Sequence, residues 1–249
     1  MKRIQFFWIF MLVALSLTSQ ELSLQKANAL YSQAQYAAAA QQYEMIRQIQ
    51  GDAPQLFYNL GNAYYRAGNL GKAILNYNRA LLLDPNYDNA RFNLRIAQLK
   101  VVDNVDVTTK FFLVQWMDDF GNLFSSNQWA ILSFIAFVLM LLSILLYIFS
   151  TYKQRRKVGF TSAIVLFFVF IIGFSYAEKQ SHKFIDSTAG IIMDPSVTAK
   201  DAPSLNSKDM FVLHEGTKVT ISNEISGWTE IVLPDGNEGF IPSTSIEKI

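Results

Sequence analysis

Phe57-Tyr58-Asn59-Leu60-Gly61-Asn62-Ala63-Tyr64-Tyr65, then Arg66-Ala67-Gly68-Asn69-Leu70, then Gly71 to Leu83, is the stretch that decides how this chain folds. The first segment reads as an amphipathic helix and the second as a turn. The third is another helix, with Ala73, Tyr77 and Ala80 on its inner face. Asp84-Pro85-Asn86 stops it, because proline cannot continue a helix. Sliding the sequence by 34 residues pairs Ala27 with Gly61, Ala29 with Ala63, Leu30 with Tyr64, Tyr31 with Tyr65, Ala39 with Ala73 and Tyr43 with Tyr77. Small residues held at fixed places let helices approach closely, and the aromatics fill the spaces between them. A period of this length predicts a stack of helix–turn–helix units.

Leu60-Gly61, Tyr64, Ala73, Tyr77, Ala80 and Pro85 fall at the signature positions of the tetratricopeptide repeat, which this unit resembles. An earlier copy, about residues 20–53, is weaker: Lys26 stands where Leu60 does, and Ile46 where Ala80 does. A third begins at Asp88, with Leu94 equivalent to Leu60, and shows only its first helix, ending near Lys100. The expectation is an all-α solenoid of about five helices over residues 21–100. The resemblance implies that a partner protein or an extended peptide binds on the concave face of the first helices. Asn59 and Asn93 are equivalent concave positions, with Asn28, Asn62, Tyr65 and Arg66 nearby, and an asparagine amide offers a peptide backbone both donor and acceptor. Asn59 matches one asparagine of the family's carboxylate-clamp variant. The basic pair of that variant is replaced by Asn89 and Asn93, which argues against recognition of a terminal carboxylate. The alternative is that these are solvated polar residues on an ordinary solenoid.

Working outward, the rest of the chain is too apolar for soluble domains alone. Of 249 residues, 51% are hydrophobic and 16% charged, with a mean hydropathy of +0.18; soluble domains are about 25% charged. Met1-Lys2-Arg3, the apolar run Ile4 to Leu17 and Thr18-Ser19-Gln20 read as a secretory signal over residues 1–20, with an uncleaved anchor as the alternative. Residues 129–149 and 158–177 each cover about 30 Å as helix, the thickness of the hydrocarbon core. Between them, residues 150–157 carry Lys153, Arg155, Arg156 and Lys157 with no acid, which predicts a cytoplasmic loop. Trp129, Tyr152 and Tyr176 lie at the span ends, where aromatic belts form. Neither span carries an ionisable residue apart from tyrosines at the interface, so the hairpin reads as an anchor rather than an ion path. Residues 101–128, rich in Phe and Trp, read as a linker that either lies in the membrane interface or packs on the repeat. Residues 178–185 form a second linker.

Residues 186–249 change character, with ten acids against four lysines. Gly190 to Met193, Thr217 to Ile221, Trp228 to Leu233 and Gly239 to Ile241 read as strands, and Pro234-Asp235-Gly236 as a tight turn. About five short strands predict a small closed barrel. Ala202-Pro203-Ser204, Gly216-Thr217-Lys218-Val219, Gly227-Trp228, the Pro-Asp-Gly turn and Gly239-Phe240-Ile241-Pro242 resemble, in that order, a bacterial SH3-like domain. Ser196-Val197-Thr198-Ala199-Lys200 departs from that family's Leu-Asn-Val-Arg stretch. Trp228 and Phe240 are either core residues or a ligand face of the barrel. His214 reads as a solvated loop residue, and His182 lies just outside the membrane.

A net charge of +1 excludes a strongly basic nucleic-acid binder. The absence of cysteine excludes disulfides, thiolate metal sites and a thiol nucleophile. We find no nucleophile–base pair, metal-ligand spacing or phosphate loop, and therefore expect no catalysis, cofactor or metal. The chain reads as a multi-domain membrane protein: signal, tetratricopeptide repeats, two spans around a basic loop, and an SH3-like tail. In that order it resembles the BatE-type proteins of the Bacteroides aerotolerance (Bat) operon. The resemblance implies an inner-membrane scaffold with both outer modules in the periplasm. It also implies work alongside membrane-anchored von Willebrand factor A-domain proteins and other Bat operon products in tolerance of oxygen or envelope stress. A peptidoglycan-binding sensor acting through the SH3-like domain is the competing expectation.

Overall fold

A computed structural model describes residues 23–103, 111–185 and 188–249; the expected signal at residues 1–20 lies outside the described residues. The chain forms two compact units, the first holding the repeats together with the C-terminal sheet, the second the helices that follow the repeats.

In the first unit, α1 runs over residues 23–32, α2 over Tyr36–Gln50, α3 over Pro54–Arg66, α4 over Leu70–Leu83 and α5 over Asp88–Gln98. Pro54 occupies the first turn of α3, where its missing N–H costs nothing. Asn69 caps α4 by accepting the Lys72 amide at 3.0 Å. The small residues do what the 34-residue pattern requires: Ala27, Ala39, Ala63, Ala73 and Ala80 are completely buried. A Cβ on Gly61 would lie 2.5 Å from the Tyr77 ring, so α3 and α4 meet only because that position is bare.

The C-terminal region is one antiparallel sheet of seven strands: β1 Ala189–Ile192, β2 Ser196–Lys200, β3 Asp209–His214, β4 Lys218–Ile225, β5 Trp228–Val232, β6 Glu238–Pro242 and β7 Ile246–Lys248. Their order is β3-β2-β6-β5-β4-β1-β7. Ser226 and Gly227, both at positive φ, turn β4 into β5. Leu233 accepts the Gly236 amide to close the Pro-Asp-Gly turn into β6. Ile192, Val197, Ala199, Leu213, Val219, Ile231 and Ile241 form one cluster, with Phe211 of β3 and Ile246 of β7 against it, so the sheet curls around a single core. It does not close, which corrects the expected five-stranded closed barrel. Among the described residues β3 and β7 are its two edges, each paired on one side only. The last amide of β3, that of His214, donates to the Asp103 carboxylate at 2.7 Å instead of to another strand, and β7 is only three residues long. Ser196–Lys200, which departs from the SH3-like pattern, is nevertheless a strand inside the sheet, between β3 and β6.

The sheet shares a core with the repeats. Ile191 is buried among Ala73, Ile74, Leu75, Tyr77, Leu94 and Ala97, with Met193 and Ile249 beside it. Burying side chains such as Ile74, Leu75 and Ile191 stabilises the joint by roughly 1.5–3 kcal/mol each. Gly216, at φ 89°, brings the β3–β4 turn against Ile74 and Val101. The Glu215 carboxylate accepts the Gly71 amide at 2.7 Å, which places a negative charge on the positive end of α4. Arg79 donates to the Lys248 carbonyl at 2.6 Å and pairs with Glu247 at 3.1 Å.

The second unit contains α6 (Phe112–Gly121), α7 (Ser126–Phe149) and α8 (Lys153–Ile185). Ser125 and Gln128 form a reciprocal cap at the start of α7. Ser126–Phe149 and Lys153–His182 are long and apolar enough to cross a membrane, with mean hydropathies of 2.9 and 2.4. They pack closely at two glycines: a Cβ on Gly159 would lie 2.8 Å from the Ser143 carbonyl, and one on Gly173 3.2 Å from Ser133 Cβ. Small residues at the crossing are how apolar helices associate where no hydrophobic force drives them together.

Candidate partner-binding groove

The three first helices of the repeats, α1, α3 and α5, carry all six of the predicted groove residues, and these line two adjoining hollows. One, of about 220 Å³, is bounded by Asn28, Tyr31, Ser32, Tyr43, Asn59 and Asn62. The other, of about 200 Å³, is bounded by Tyr31, Asn62, Tyr65, Arg66, Tyr77, Asn93 and Ile96. Tyr31 and Asn62 belong to both, so the two form one trough along the repeats.

The trough is built by a hydrogen bond that recurs with the repeat. The Tyr43 hydroxyl donates to Asn28 Oδ1 at 2.6 Å, and 34 residues further on the Tyr77 hydroxyl donates to Asn62 Oδ1 at 2.8 Å. Each bond ties the second helix of a unit to the first and fixes the asparagine amide in the groove wall. Asn62 Oδ1 also accepts Asn93 Nδ2 at 2.7 Å, carrying the chain of bonds to α5. With its carbonyl occupied twice, Asn62 presents its amide hydrogens, and Asn93 presents its carbonyl. A donor and an acceptor side by side match the alternation of an extended peptide backbone.

Burial pushes the Tyr31, Tyr43 and Tyr77 hydroxyls above their usual range. Tyr64 is pushed up to about 12 by burial and then by Glu44, to which it donates at 3.3 Å. These hydroxyls stay neutral donors at physiological pH. Arg66 is held over the Tyr36 ring and donates to its hydroxyl at 2.6 Å. Lys100 Nζ sits 4.4 Å from the centre of the Tyr65 ring. The groove is therefore aromatic and uncharged in its floor, with cations at one end.

Tyr31, Ser32, Tyr43, Tyr77 and Ile96 line the trough without having been singled out. The signal was present for three of them, since the same shift that pairs Asn28 with Asn62 pairs Tyr31 with Tyr65 and Tyr43 with Tyr77. Asn89 is exposed at the start of α5 and lines neither hollow.

The two aromatic positions of the sheet lie elsewhere. Glu230 pairs with Phe240 and Trp228 with Pro242, so Trp228 and Phe240 are diagonal neighbours on one face of β5 and β6. Both are half-buried, and neither belongs to the core cluster. His214 is not a solvated loop residue. It ends β3, and its Nδ1 lies 2.7 Å from Asp103 Oδ1.

A tetratricopeptide-repeat family model matches residues 54–87. That span covers α3, α4 and the turn after them, the unit whose Tyr77–Asn62 bond forms the middle of the trough. No curated protein matches the chain. Tetratricopeptide repeats are modules of protein–protein interaction, and the family is generally non-catalytic.

Proposed function

We propose that this chain is a non-enzymatic scaffold of the bacterial inner membrane that grips a partner protein through the groove of its tetratricopeptide repeats. The observation that carries the reading is the trough itself: three successive first helices align Asn28, Asn59, Asn62 and Asn93 along two adjoining hollows. The basic run Lys153–Lys157, which forms the start of α8 rather than a loop before it, supports a cytoplasmic turn, with the repeats and the sheet in the periplasm. The strand order of motifs in the sheet supports an SH3-like ancestry despite its open edge. By resemblance to the BatE-type proteins, the partners are membrane-anchored von Willebrand factor A-domain proteins in an aerotolerance or envelope-stress complex.

The test is crosslinking in cells, affinity purification of the full-length protein and identification of what comes with it. Recovery of von Willebrand factor A-domain proteins, lost in the Asn59→Ala/Asn93→Ala double variant while the repeats remain folded, is the expected result. Undiminished recovery by the folded variant sinks the groove reading. A second reading, peptidoglycan sensing, has one observation behind it: the half-exposed Trp228–Phe240 face. Co-purification of muropeptides that is lost on Trp228→Ala and kept in the asparagine variant selects it.

A further inference from the structure

Helix α6 is ten residues long, and among the described residues little covers it. Phe112, Leu113, Val114, Trp116 and Met117 are all exposed, with Trp116 at 69%. At 100° per residue the apolar side chains fill one broad arc, and Gln115, Asp118 and Asp119 fill the other. A helix this apolar and this bare is not stable against water, so something of matching chemistry covers it.

Its C-terminal end shows where it is held. Gly121, the last residue of α6, has its carbonyl accepting both Trp129 Nε1 at 2.9 Å, from the start of α7, and Gln180 Nε2 at 2.8 Å, from the far part of α8. Lys179 pairs with Asp118 on the polar arc at 3.0 Å. Phe120 packs against Trp129 and Tyr176, which stack on each other at 5.2 Å. A Cβ on Gly121 would lie 2.7 Å from the Tyr176 ring, so this end fits only as it is. The clasp lies at the ends of both apolar helices remote from the basic run, where a bilayer's headgroup region meets them.

We infer that α6 lies in the polar–apolar boundary of the bilayer, its Phe112, Leu113 and Trp116 side seated in lipid, as a third membrane contact beside the two spans. This rests on the reading of α7 and α8 as spanning helices. The occupant is lipid because the clasp fixes α6 at the level where the apolar stretches of α7 and α8 end, so its exposed apolar side chains lie where the bilayer boundary meets the hairpin. Residues 112–121 contain no lysine or arginine, so burial of apolar area rather than attraction to anionic lipid holds the helix. Its acids point away from the membrane, toward Lys179 and water.

The protein has no cysteine, so single cysteines can be labelled in the full chain without background. Phe112→Cys, Trp116→Cys, Gln115→Cys, Asp119→Cys and, within α7, Leu141→Cys are spin-labelled and reconstituted in vesicles of phosphatidylethanolamine and phosphatidylglycerol. Accessibility to oxygen and to a water-soluble nickel complex is then read at each. The expected pattern is oxygen broadening without nickel broadening at 112, 116 and 141, and the reverse at 115 and 119. If 141 reports lipid while 112 and 116 report water, or are shielded from both reagents, the inference about α6 is overturned and the spans stand. If 141 itself reports water, the spanning reading falls and the inference with it.

Discussion

At the scale of single residues, Asp103 joins the two halves of the first unit through three contacts. One carboxylate oxygen accepts the His214 amide at 2.7 Å and the Thr217 hydroxyl at 2.6 Å, and the other faces the His214 ring. Burial pushes the carboxyl up, but the bonds from Thr217 and His214 outweigh it and hold Asp103 below its usual range. An acid depressed in the folded state stabilises that state above its unfolded value and loses the contribution as pH falls through the folded one. Asp103→Asn should therefore cost about 1–3 kcal/mol near pH 7, through donors left poorly satisfied. The gap to the parent should narrow below pH 3.8, the ordinary value for the acid. Urea unfolding at a series of pH values checks both, and a gap that stays constant into acid contradicts the assignment. Gly71 makes a companion test. A Cβ there would meet the Ile192 carbonyl at 2.9 Å and Glu215 at 3.1 Å. Gly71→Ala should cost about 1–3 kcal/mol by forcing the sheet off α4. Thermal unfolding reads the loss, and a Gly71→Ala variant as stable as the parent contradicts the close approach of sheet and helix.

At the scale of elements, the repeat is a bonding pattern as well as a spacing. Tyr43–Asn28 and Tyr77–Asn62 are the same bond made twice, and each buries a tyrosine between two helices. Tyr77→Phe should lose about 1 kcal/mol and free the Asn62 amide to turn. Binding of a groove partner should then weaken more than stability does, as measured by titration calorimetry beside a denaturant melt. Gly61→Ala places a methyl 2.5 Å from the Tyr77 ring and should be worse, by about 1–3 kcal/mol, because α3 and α4 must separate. The third copy breaks the pattern: Ile96 stands where Asn62 and Asn28 do, and no second helix pairs with α5 over the described residues. Instead Ile191, Met193 and Val101 pack beside Leu94 and Ala97, so the sheet takes over part of the covering that a further helix provides in a longer array.

At the scale of the whole molecule, the repeats and the sheet are one folding unit although 85 residues of chain lie between Asp103 and Ala189. Removing residues 186–249 should therefore expose Ile74 and Leu75, which are now at 0% and 1% exposure, and lower the melting temperature of the repeats. Hydrogen exchange should accelerate through α4 and α5 and much less through α1 and α2. Unchanged protection in α4 contradicts the shared core. What the sequence alone determined is whatever has a local signature. Helices α1–α5 follow from the 34-residue shift, the two long helices from uninterrupted apolar runs, and the β5–β6 turn from Pro234-Asp235-Gly236, because each rests on residues within one turn or one repeat of each other. Most groove residues were legible for the same reason, since a residue that recurs with the period recurs on the same face. What only the tertiary structure decided is the open edge of the sheet and its docking. The His214–Asp103 bond joins positions 111 residues apart and the Glu215–Gly71 bond positions 144 apart. Neither leaves a mark on its neighbours in the chain, since the partner that satisfies a buried amide or carboxylate is chosen by packing in space and not by periodicity.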